Sequence, residues 1–275
     1  MIVSIMVAVV RASLVALAIS VPSLLLVPTS SDGSYIVLLG ALLIGALVCL
    51  EYLNTYPCLL EFRDAPPFNR FRFAHAAIVI SGTSLLLRGA LGVDPSPFLE
   101  NISVILGHTL DFPYSPVHLV VLMLPHNLPS VFVDAMRLAA GFSAFVSAVN
   151  ILVFYSVMKT TRWPLSRGAF NVWVNLPLLD PTSGGDIVVR LLRDGRLNIM
   201  FALLTPFLFP AGIKILGIIL GSHFFYDAQS LAWLIILWSI ILTTFAMRGI
   251  GMMRIADLIH QKRQSNDENH LMQMA

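Results

Sequence analysis

Six apolar runs, each close to the ~20 residues a helix needs to cross a hydrocarbon core, dominate this 275-residue chain. They fall near 3–27, 35–53, 72–92, 130–158, 197–221 and 229–247. Inside hydrocarbon every backbone N–H and C=O must find its partner within the protein, which leaves helices or closed barrels. Barrel strands are about ten residues long and alternate; these runs do neither. The expected fold is therefore all-α: a polytopic transmembrane bundle of six spans. Only 12% of the residues are charged, half the level of soluble domains. None of the loops is long enough for a core of its own. Residues 1–260 thus read as one transmembrane domain, and 261–275 as a polar, disordered tail.

The net charge of +2 says little, but its distribution says much. With the N-terminus taken as inside, the basic residues fall in the loop 54–72, the loop 159–196 and the tail from Arg248. Those segments hold thirteen of the seventeen lysines and arginines, and the opposite loops (28–34, 93–129, 222–228) hold none. Loop lysine and arginine mark the cytoplasmic side, so both termini are expected there. Arginine far outnumbers lysine, which points to a bacterial inner membrane. Cys49 and Cys58 fall near the cytoplasmic side, which excludes a disulfide framework. An N-terminus apolar from Ile2 to Val27, broken only by Arg11, lacks the pattern of a cleaved signal and reads as a retained span.

The remaining four basic residues lie within spans. Arg88 is near the outer end of its span and can snorkel. Asp134 and Arg137, at i and i+3, can pair on one helix face. Lys214 lies about 10 Å below the outer surface at 1.5 Å per residue; it reaches either the interface or Asp134. Together they describe an outward-opening polar cavity or four snorkelling side chains. Arg11 needs a partner, and Glu51 is the acid near that side. Pro206 and Pro210 each remove a backbone donor from the fifth span and free a carbonyl one turn earlier. Such breaks build midplane sites in transporters, or are plain kinks satisfied by neighbours and by hydroxyls such as Thr205. Gly217 with Gly221, and Ala140 with Ala144 and Ala148, are small-residue stripes suited to close helix packing.

The loops carry weaker signals. Pro28 and the polar turn Ser30–Gly33 separate the first two spans. The segments 102–106 and 117–124 are too short to span and read as interfacial or re-entrant. His108, His118, His126 and His223 share the outer face as weak metal candidates, but their spacing matches no metal motif. Only His75 lies in a span, at its edge, so haem is not expected and no cofactor is implied. Arg63, Arg70 and Arg72 alternate with phenylalanines from Phe62 to Phe71, the pattern of an interfacial anchor rather than of nucleic-acid binding. Arg162 and Arg167 continue the basic side. The segment 170–176 can be extended and 180–185 is a strong turn. Beyond it the apolar residues of 187–192 and Arg190, Arg193 and Arg196 fit a short amphipathic helix on the cytoplasmic surface. These two arginine groups are candidate docking surfaces for lipid or for another membrane protein.

No catalytic motif appears. The favoured function is a non-catalytic accessory or assembly subunit of an inner-membrane complex. The alternatives are a small-solute or ion transporter built on the kinked fifth span, and a membrane enzyme or metal site on the outer face.

Overall fold

A computed structural model describes residues 2–26, 31–56, 58–93, 96–161, 163–164, 171, 175–177, 179 and 185–274. Its regular elements are all helical: α1 (Ile2–Leu25), α2 (Ser31–Leu53), α3 (Phe68–Gly89), α4 (Pro97–Leu110), α5 (Pro116–Met123), α6 (Ser130–Thr160), α7 (Ile187–Leu220), a 3-10 turn at His223–Tyr226, and α8 (Ala228–Met274). Five of them, over Ile5–Leu25, Tyr35–Leu53, Ser130–Thr160, Ile187–Ile219 and Ala228–Asn266, are long and apolar enough to cross a membrane. The chain is a multi-pass helical membrane protein.

The sixth expected span, α3, has 22 residues, enough for a ~30 Å core, but it is more polar than the other five. Its packing explains why. α3 lies against α1, α6 and α8, and it buries His75, Gly82, Thr83 and Ser84 among them. A helix surrounded by helices need not be apolar on every face. By contrast α2 packs chiefly on α1 and leaves Ile36, Leu39, Leu42 and Leu43 exposed, as a lipid-facing helix does.

Two apolar cores result. One lies within the bundle, where α3, α5, α6 and α8 meet around Leu87, Val120, Met136 and Ile235. The other lies at the arginine-rich end and joins Phe62, Phe68, Phe154, Trp163, Leu191 and Ile255. Phe62 and Phe68 are fully buried, their rings 4.2 Å apart. They are not headgroup anchors, because the Trp163 indole and Phe154 close over them.

α7 also departs from expectation. It is one helix of 34 residues with Pro206 and Pro210 inside it, not a surface helix followed by a span. Val188, Leu191, Asn198 and Ala202 are buried, and with Gly195 they recur every three to four residues. One stripe therefore faces α8 from the first turn onward, and tertiary packing overrides the membrane surface. α8 continues to Met274, where the sequence predicts a disordered tail. Helix-favouring Gln, Lys, Arg and Met in the last turns suit that continuation, and Gln264 bonds His260 one turn back.

The segment between α3 and α6 holds two short helices, α4 and α5, capped by Ser96 and Ser115. The turn residues Pro28 and Ser30, Arg162, Arg167, most of 170–176 and 180–184 lie outside the described residues.

Candidate functional site

A cavity of about 920 Å³ lies between α1, α2, α3 and α8, near the top of the range for ligand sites. Its lining is graded along every helix. α1 contributes Arg11 at one end and Ala18 and Ile19 at the other; α2 contributes Tyr52, then Val48 and Ile44. α3 supplies Arg70 and Arg72, then Ala76 and Ile80, and α8 supplies Thr243 and Thr244, then Ile240 and Trp233. The polar ends all meet at the arginine-rich side, where Arg63, Asp64, Asn69, Asn171 and Asn175 complete the rim.

The rim is held by its own bonds. Arg63 donates to the carbonyls of Glu51 at 2.8 Å and Asn54 at 2.5 Å, which caps the end of α2. Glu51 accepts the backbone N–H groups of Cys58, Leu59 and Leu60 at 3.0 Å each. That carboxylate is therefore not the partner of Arg11, whose guanidinium lies 4.3 Å over the Tyr52 ring. Asn175 accepts from Asp64 N–H, and its carbonyl accepts from Phe62 N–H. Glu61 takes Arg248 in a fork at 2.7 and 3.0 Å. Among the described residues, neither Arg70 nor Arg72 has a carboxylate within ion-pair distance. Arg72 lies within the field of the Glu61 carboxylate without a direct contact, and guanidinium groups at the mouth of an apolar pocket can take an anionic group in a bidentate grip.

A buried polar cluster borders the same cavity. His75 is 3% exposed, and its Nε2 lies 3.1 Å from Ser147 Oγ and 3.2 Å from both Ser239 Oγ and Thr243 Oγ1. Ser147 and Ser239 are themselves 2.7 Å apart, and Ser143 reaches Thr83 at 3.2 Å. His75 and Thr243 both line the cavity. The indole Nε1 of Trp233, at the apolar end, is buried and has no hydrogen-bond acceptor among the described residues.

Of the residues singled out in the sequence, Arg63, Arg70 and Arg72 line this cavity, and Lys214, Asp134, Arg137, Arg88, Pro206 and Pro210 do not. Arg137 pairs with Asp134 and also donates to Asp111 at 2.7 Å, while His118 Nδ1 meets the other Asp111 oxygen at 2.6 Å. Burial works to raise the Asp111 carboxyl, but the bonds from His118 and Arg137 outweigh it and hold it below the usual carboxylate range. Lys214 does not meet Asp134. It donates to the Leu122 carbonyl at 2.9 Å and so caps α5. Arg88 is half-buried at the end of α3.

The carbonyl that Pro210 frees has a side-chain donor. Pro210 has no N–H for the Pro206 carbonyl, which instead lies 3.4 Å from Trp238 Nε1, and Thr205 bonds the Phe201 carbonyl. Gly217 makes room for the Phe225 ring, and Gly221 ends α7 at φ +92°. His108, His126 and His223 are exposed, and no three His, Cys, Asp or Glu side chains come together among the described residues. Arg193 and Arg196 border a second groove of about 440 Å³ on the outward face of α7, next to half-buried Arg190.

The His75 cluster escaped the sequence reading, although one signal was available. Ser143 and Ser147 on α6, and Ser239 and Thr243 on α8, are hydroxyl pairs four residues apart, each placing two oxygens on one helix face. Comparison with protein-family models, with curated proteins and with solved structures finds no match.

Proposed function

We propose that this membrane protein binds an amphiphile with an anionic headgroup, as a carrier or lipid-handling protein. The observation that carries the reading is the graded lining: Arg70 and Arg72 at one end, and Ala18, Ile19, Ile44, Ile80 and Trp233 at the other. Apolar walls suit chains that leave the bilayer at little cost, and guanidinium groups suit phosphate or carboxylate oxygens. A water-soluble ion needs no such apolar depth. In this reading α3 is a sixth span, both termini lie in the cytoplasm, and the headgroup enters from the cytoplasmic leaflet of a bacterial inner membrane.

The test is purification in mild detergent with native mass spectrometry of retained lipid. Wild type should carry an acidic amphiphile enriched over its share of the membrane, and the Arg70→Gln/Arg72→Gln double variant should lose most of it. Retention of bulk lipid composition by wild type, or equal enrichment in the variant, overturns the reading. A second reading, an accessory subunit, is favoured by the exposed groove at Arg193 and Arg196. It expects a stoichiometric protein partner in the same purification, lost on Arg193→Gln/Arg196→Gln.

A further inference from the structure

We infer that His75 is a proton site linked to the cavity, so that binding of the anionic headgroup and protonation of this buried imidazole favour each other. The inference rests on the amphiphile reading above and adds to it the regulation of that same site.

The partners of His75 carry the argument. Nε2 faces three hydroxyl oxygens, from Ser147 on α6 and from Ser239 and Thr243 on α8. A hydroxyl both donates and accepts, and its hydrogen rotates to suit. This shell therefore satisfies Nε2 as an acceptor in the neutral ring and as a donor in the cation. A histidine fixed only for packing needs one carbonyl or carboxylate; this one is surrounded by groups indifferent to its protonation state.

What the shell lacks is a counter-charge. Among the described residues, the charged and titratable groups facing the cavity besides His75 are Arg11 on α1, Tyr52 on α2, Arg70 and Arg72 on α3, and Arg63 and Asp64 in the rim. α6 and α8 bring no titratable side chain to the cavity. Glu51 is held by backbone N–H groups and Glu61 by Arg248. An imidazolium at His75 therefore meets mostly positive neighbours when the cavity is empty. An anion in the cavity supplies the missing charge, and the ring gains its second N–H from solvent through the cavity. By reciprocity, a proton on His75 then raises affinity for the anion by the same factor.

The experiment uses the full-length protein in phosphatidylcholine nanodiscs and spin-labelled phosphatidylglycerol, whose phosphodiester keeps one charge over the range used. Spin-labelled phosphatidylcholine is the control. Binding is read as the immobilised fraction from about pH 7.5 to about pH 4.5, a range that covers the ordinary imidazole region and the acid side of it. Affinity for phosphatidylglycerol should rise several-fold as pH falls, with one linked proton allowing up to about tenfold per pH unit. In His75→Gln the ratio of affinities between the two ends of the pH range should fall to about one, whatever the variant's absolute affinity. Independently of any variant, adding phosphatidylglycerol to weakly buffered wild type should remove protons from solution. Selective but pH-independent binding, without proton uptake, overturns the inference and leaves the cavity reading intact; so does an undiminished rise in His75→Gln. No selectivity for phosphatidylglycerol at any pH overturns both.

Discussion

Asp111 joins three elements through single atoms: it caps α4 and receives His118 from α5 and Arg137 from α6. Its carboxyl is held below the usual range, so the network stabilises the fold fully above the ordinary carboxylate pKa of about 3.9 and is lost as pH falls through the depressed value. Thermal unfolding in detergent should show wild type losing stability from about pH 5 downward, and Asp111→Asn should remove about 2 kcal/mol of it at neutral pH while flattening that acid limb. An unchanged limb in the variant would assign the acid sensitivity to other carboxylates. Trp238 has a comparable local role, as its N–H lies within reach of a carbonyl that Pro210 leaves without a helical donor. Trp238→Phe keeps an aromatic six-membered ring but removes that donor and part of a fully buried side chain, so a loss of about 1–3 kcal/mol with retained lipid content is expected.

Between elements, glycine decides where backbones touch. A Cβ on Gly141 of α6 would fall 2.6 Å from the Gly107 Cα of α4, a contact that only backbone movement relieves. Gly141→Ala should therefore cost about 1–3 kcal/mol, whereas Ala148→Leu, at an exposed position of the same helix, should be nearly neutral; thermal melting of both variants checks the contrast. Gly195 and Gly249 play the same part between α7 and α8, each bringing its Cβ position within 2.9–3.3 Å of the other's carbonyl oxygen. That crossing lies at the arginine-rich end, and Arg263 closes it by pairing with Asp186 at 2.9 Å. The Val188 N–H and Arg263 together hold the exposed Asp186 carboxyl low.

Over the whole molecule, the arginine-rich loops and helix ends build a second core, and this decides which surface the cavity opens toward. Cys58 is exposed at that end, while Cys49 lies within α2. With both termini inside, a membrane-impermeant thiol reagent should label Cys58 in inverted vesicles and leave it unlabelled in intact spheroplasts; the opposite pattern would reverse the proposed orientation.

Run length and charge placement were legible without any tertiary contact. The free energy of moving a twenty-residue stretch into hydrocarbon depends on that stretch's own residues, and five such helices are present. The Asp134–Arg137 pair was legible too, since helical spacing alone brings i and i+3 together. The third expected span, α3, is not among those five. Its polar residues lower its hydropathy, and they are tolerated only because neighbouring helices enclose them. The cavity and the His75 cluster were decided by tertiary structure alone: Ser147 is 72 residues from His75 and Thr243 is 168 residues away. No local period encodes such a meeting, which depends on how the helices cross. The same holds for Lys214, which the crossing of α5 and α7 delivers to a carbonyl rather than to an acid.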